Sequence, residues 1–164
     1  MVGIKMIDSK TARKSAKPLI VVGWQEHVDL PLLGLTNLKA KIDTGARTSA
    51  LHASDISKFE KDGEAWVRFH TKFDDDAHDL WVECPIHDVR EIKNTSGVPE
   101  ERIIIRTKFR IVGKLWKIDL SLTDRQNMKF RMIVGRTALK NHPIAVHTRQ
   151  SHLTEKTATE GKIS

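Results

Sequence analysis

Lys39-Ala40-Lys41-Ile42-Asp43-Thr44-Gly45-Ala46-Arg47-Thr48-Ser49-Ala50-Leu51 is the stretch on which the fold turns. Leu38 to Ile42 has the apolar content of a strand, and it delivers one carboxylate, Asp43, into a turn of small residues. Thr44 offers a hydroxyl there, and Gly45 lets another backbone come close. Asp-Thr-Gly alone is an ordinary turn. A second segment, Met132-Ile133-Val134-Gly135-Arg136-Thr137-Ala138-Leu139, gives it meaning. It reads as an apolar strand, a Gly, an Arg and a helix expected over Arg136 to Asn141, which Pro143 stops.

The rest of the chain is punctuated like a β-protein. Leu19 to Trp24 is a strand candidate, and Ala65 to Phe73 is another, ending in the acidic turn Asp74-Asp75-Asp76. Leu80 to Val89 reads as one extended segment. Ile103 to Val112 and Leu115 to Leu122 flank Gly113-Lys114, a hairpin signal. Phe130 to Val134 and Ile144 to His147 are short strands. Many short strands with little helix predict a small barrel or sandwich. Residues 1–17 and 151–164 are expected to be flexible tails around one domain over 18–150.

The chain has 164 residues, of which 39% are hydrophobic and 30% charged, as expected of one globular domain. Its longest apolar stretch, Pro18 to Trp24, is far short of the ~20 residues that span a bilayer, so no membrane partner is expected. Net charge is +7, unevenly spread: Glu101 to Arg149 holds twelve basic residues against three acidic ones, a local +9. A basic half suits acidic partners. The single cysteine, Cys84, allows no internal disulfide. With no apolar core of a secretory signal in residues 1–17, the simplest expectation is a cytoplasmic protein.

Together the two segments resemble those of retroviral-type aspartic peptidases, in which a hydrophobic strand leads to Asp-Thr-Gly-Ala and a later apolar-apolar-Gly-Arg strand opens the C-terminal helix. Ile42 to Ala46 matches the first motif and Ile133 to Arg136 the second. Lys39 to Ala53, and Leu122 to Met128 followed by Met132 to Leu139, are more closely similar to a bacterial group of retropepsin-like proteins labelled "ATP-dependent zinc protease". Some members of that group are linked to a ligase that adds glutamates to a ribosomal protein, and are thought to trim such tails.

The resemblance implies an all-β fold, a closed retropepsin-like (acid-protease) barrel with one short C-terminal helix. It implies a homodimer, because such a peptidase needs two carboxylates sharing one proton and this chain carries one Asp-Thr-Gly. Asp43, Thr44 and Gly45 would be catalytic, with Thr44 bracing the two loops across the axis. Gly135 and Arg136 would be structural. A flap tip would fall at Lys93-Asn94-Thr95-Ser96-Gly97, so that Asn94, Thr95, Ser96 and Gly97 would join Ala46 and Arg47 in binding a peptide. Arg47 departs from the viral pattern, which has an Asp there to pair with the Arg of the second motif. A guanidinium in that place suits a substrate carboxylate, and an acidic or glutamate-rich peptide is the expected substrate. Members of that group often read Val-Asp where this chain has Val146-His147.

No cofactor is expected, and no phosphate loop accounts for ATP. Eight histidines raise the question of zinc. Neither His-Glu-x-x-His nor Cys-x-x-Cys occurs, and the best local set is His78, Cys84, His87 and Asp88. Two alternative functions stand beside the peptidase: a zinc-dependent hydrolase, and a non-catalytic module for an acidic partner such as a ribosome or RNA. In the latter, basic residues would meet phosphates and Trp66, Trp81 and Trp116 would stack bases.

Overall fold

The hairpin expected around Gly113 forms as β9 (Pro99–Ile111) and β10 (Lys114–Thr123) in a computed structural model that describes residues 17–93 and 96–155. Val112 and Gly113 have φ of 55° and 70°, the left-handed pair that a two-residue turn needs to match strand twist. Ile105, Phe109 and Ile111 on β9, and Ile118, Leu120 and Leu122 on β10, are buried.

Around this hairpin the chain forms β1 (Ile20–Gly23), β2 (Gln25–Leu30), a 3-10 turn (Pro31–Leu33), β3 (Leu35–Ile42), β4 (Ser49–His52), β5 (Ser54–Lys61), β6 (Glu64–Lys72), β7 (Asp79–Pro85), β8 (Asp88–Lys93), β11 (Met132–Val134), helix α1 (Arg136–Leu139) and β12 (Ile144–His147). Strands order as β10-β4-β11-β3-β2-β9, and β9 pairs back onto β10. The ring closes with six strands, the all-β barrel that the sequence predicts. β5-β6-β7 make a separate three-stranded sheet, and β1 pairs parallel with β12. Val67, Phe69 and Val82 carry that sheet into the same hydrophobic core as the barrel. No helix among the described residues is long and apolar enough to cross a membrane.

β8 pairs only with the first half of β9, from Asp88 opposite Ile104 to Lys93 opposite Pro99. This arm leaves the barrel and ends at the expected flap tip. Asn94 and Thr95 of that tip lie outside the described residues; Gly97 has φ +77°. The segment expected to run unbroken from Leu80 to Val89 is two strands in two sheets. The switch falls at Ile86 and His87, whose amides donate to Ala65 O and Ile104 O.

Buried polar groups act as clasps between elements. Glu26 is fully buried, and its carboxylate accepts from Gly23 N at 2.6 Å, Leu153 N at 2.9 Å and Thr154 Oγ1 at 2.9 Å. Residues 151–155, expected above to begin a loose tail, are thereby held on β2. His52 is 3% exposed; its Nδ1 accepts from Arg125 N at 2.9 Å, and its carbonyl accepts from Thr71 Oγ1 at 2.7 Å. The imidazole must therefore be unprotonated at Nδ1. Burial, then the Arg131 charge, hold its pKa below the ordinary 6.5, with Asp124 pulling the other way.

β11 occupies the slot between β3 and β4, parallel to the first and antiparallel to the second. The loop between β3 and β4 must therefore arch over the end of β11, and Gly135 lies under the arch. A Cβ there would sit 2.7 Å from the Thr48 carbonyl carbon and 2.9 Å from Arg47 O, both backbone.

Two outcomes follow from these contacts. Gly135→Ala should lower stability by about 1–3 kcal/mol through overpacking against backbone, measured by urea unfolding; an unchanged midpoint would contradict the close approach. For His52 the folded pKa is the lower one, so on acidification the unfolded chain takes up the proton first and stability falls below pH 6.5. Melting temperature should drop less steeply from about pH 7.5 to about pH 5 in His52→Gln than in the parent. Parallel pH profiles would refute that contribution.

Candidate active site

Asp43 is the first residue after β3. Its amide donates to Val134 O at 2.8 Å, which ties the loop to the neighbouring strand. One carboxylate oxygen, Oδ1, accepts from Gly45 N at 3.0 Å. The other, Oδ2, has Lys41 Nζ at 3.9 Å. The Asp43 side chain is 29% exposed, so the group is fixed by its own turn and still open to an incoming partner. Gly45 keeps the turn tight, because a Cβ would lie 3.2 Å from that same Oδ1.

The loop is braced from the second motif. Gly135 N donates to Ser49 Oγ at 3.0 Å, Arg136 N to Ala46 O at 2.8 Å, and Thr137 N to Arg47 O at 3.0 Å. The first amides of α1, which have no partner within a helix, are thus satisfied by the Asp loop. The Arg136 guanidinium reaches further, donating to Thr44 O at 3.0 Å and Gly45 O at 3.1 Å. With Arg47 in the place of an acid, Arg136 grips loop carbonyls instead of a carboxylate. Arg47 and Thr44 are exposed, and Ala46 is half-buried.

A cleft of about 390 Å³ lies between the β8–β9 arm and the barrel. Arg90 and Ile92 come from the arm, Arg102 and Ser121 from β9 and β10, and Thr48, Asp124, Arg125 and Met128 from the loops. Three guanidinium groups and the Asp124 carboxylate line it; Arg90 is paired with Asp88 at 2.9 Å, and Arg102 lies 3.8 Å from Glu100. Arg102 donates to Ser121 Oγ at 3.3 Å, while its Nε is buried without a protein partner. Arg125 donates from Nε to Phe130 O at 3.0 Å. Burial pulls its pKa below the usual guanidinium value, and the charge of Asp43 opposes that shift. Arg125 and Asp43 are thus within electrostatic reach of each other.

These arginines were not picked out by the sequence reading. Arg125 sits inside the Leu122 to Met128 stretch quoted for the resemblance, and that was its available signal. Arg90 and Arg102 face each other across β8 and β9, which the sequence alone does not reveal. His52 holds the Arg125 amide from inside the core, so the loop that carries this arginine is anchored.

The residues weighed for zinc are not gathered. His78 is held by Asp75 and by Thr36 O, Asp88 accepts from Arg90, and burial raises the Cys84 thiol to about 11. The tryptophans form no common platform either. Trp116 stacks on His142 and donates to Ala138 O, whereas Trp66 and Trp81 lie on the separate sheet under Lys61 and Arg68.

The chain is 40% identical over 126 residues to a probable alpha-L-glutamate ligase of Desulfotalea psychrophila, covering 76% of this chain and 27% of the relative. It is 34% identical over 138 residues to one of Shewanella pealeana, covering 83% and 30%. It spans less than a third of those longer proteins, and their names do not carry the zinc-protease label. A crystal structure of a Legionella pneumophila protein of unknown function superposes with a TM-score of 0.68 at 28% identity, covering 82% of this chain and 97% of that one. Residues 21–157 match the RimB-like family, described as the retropepsin-like aspartic endopeptidase RimB, and the chain belongs to that family.

Proposed function

We propose that this chain is an aspartic-type peptidase, active as a homodimer in which Asp43 of each copy meets at a two-fold axis, and that it cuts acidic or glutamate-rich peptides. The observation that carries the reading is the Asp43 loop itself. Its carboxylate is half-satisfied, partly exposed and rigidly presented, with no second carboxylate supplied by the Asp-Thr-Gly loop. Next to it, Trp24, Ile42, Thr44, Leu139 and Val146 line an open groove of about 650 Å³, a fitting seat for a second copy.

In such a pair two like charges ~3 Å apart do not both ionise, so one proton is shared. The ionised carboxylate takes a proton from water as the water attacks the scissile carbonyl. The protonated one donates to the carbonyl oxygen, and the roles reverse when the tetrahedral intermediate collapses. Thr44 would brace the two loops, and the β8–β9 arm would close over the peptide. The arginine-lined cleft supports an acidic substrate, since guanidinium binds carboxylate through paired hydrogen bonds.

Cleavage of a glutamate-rich peptide by the full chain tests the reading. Asp43→Asn should remove activity by roughly 10²–10⁴-fold with the fold intact; a fully active variant would refute an aspartic mechanism. Arg125→Ala and Arg47→Ala should each raise KM more than they lower kcat, by about tenfold. Equal cleavage of acidic and neutral peptides by the parent would overturn the substrate assignment while leaving the mechanism.

A further inference from the structure

We propose that His27, His152 and Glu155 form a binding site for one transition-metal dication of the zinc class. These residues belong neither to the Asp43 loop nor to the arginine cleft. One ligand atom from each lies within 4.8 Å of the others. His27 Nδ1 contacts Glu155 Oε1, and His152 Nδ1 lies 3.5 Å from that same oxygen. The two imidazole rings stack with centroids 4.7 Å apart and planes at 27°. Two ring nitrogens thus converge on one carboxylate.

The arrangement is built and not a chance meeting of side chains. His27 projects from β2. His152 takes φ of +54° at the turn that leads into residues 153–155, so that His152 and Glu155 fall three apart on one side of the turn. The turn is pinned: His152 N donates to Gln25 O at 2.9 Å, and Leu153 N and Thr154 Oγ1 are held by the buried Glu26 carboxylate. The Nδ1 atom of His152 is itself buried with no hydrogen-bond partner. Gln25 Nε2 lies 3.0 Å from His152 Nε2. Turning that amide over would let its oxygen accept the ring N–H, freeing the Nδ1 lone pair for a metal. A carbonyl on the far nitrogen is the usual outer support of a ligating histidine.

Two imidazoles and one carboxylate suit zinc and its neighbours, whereas calcium and magnesium call for oxygen donors. Three protein ligands leave a fourth position for water. A metal here would fasten the last described residues onto β2 and stabilise the folded chain by mass action.

The experiment uses the full chain without a histidine tag and ZnCl₂ alone, read by titration calorimetry and by thermal shift. One zinc per chain should bind, raising the melting temperature. Glu155→Gln, at a half-exposed position that should not disturb folding, and His27→Gln should each weaken binding by at least about tenfold. Cys84→Ser should leave it unchanged, and circular dichroism should report the same fold in all four chains. Absence of saturable binding would overturn the site. So would binding that survives Glu155→Gln and His27→Gln, or that disappears with Cys84→Ser.

Discussion

Insertion of β11 between β3 and β4 is the constraint from which the rest of the molecule follows. A chain that leaves one strand and returns two positions away must bridge the intervening strand, and the bridge here is the Asp43 loop. Its height is set by Gly135, where only a hydrogen fits beneath the backbone of Arg47 and Thr48. The amides of α1 and the Arg136 guanidinium then bind the underside of the loop through its carbonyls. The carboxylate is preorganised by backbone and needs no long side-chain network. That economy explains why two motifs almost ninety residues apart in sequence read as one device.

The charge distribution gives this device a direction. The Asp43 carboxylate is the lone negative group of the loop, and Arg90, Arg102 and Arg125 line a cleft that reaches the same loop at Thr48. An anionic peptide would be drawn into the cleft and held by guanidinium groups without competing for the aspartate. Arg125 links the two halves of the site, because the Asp43 charge acts on its guanidinium and its amide is tied to His52 in the core. The proposed dimer would place two such clefts about one axis.

Much of the fold was legible because apolar alternation and turn chemistry agreed. β9 and β10 were readable from isoleucines and leucines around Gly113, and the helix start at Arg136 from the preceding glycine. The helix is shorter than the expected Arg136 to Asn141 and ends at Leu139, with Lys140 as its cap. β2 was hidden because Gln25 and Glu26 are buried, which reverses the polar-outside rule. β4 was hidden because all four of its residues are buried, so no alternation marks it. β5 has an almost wholly exposed face pattern, although Asp62-Gly63 after it is a hairpin signal. The split between β7 and β8 depends on which sheet offers a partner, and one chain segment does not carry that information. In the site, Asp43, Gly135 and Arg136 were legible from their motifs. The cleft arginines come together only through strand pairing.

The central claim is that the Asp43 loop is one half of a catalytic centre completed by a second copy. The separation of the two Asp43 carboxylates in a crystal structure of the assembled protein tests it most directly. The account predicts oxygens within hydrogen-bonding distance, about 3 Å, across a two-fold axis. A dimer built on another face with those carboxylates far apart, or a chain that stays monomeric at all concentrations, would contradict it.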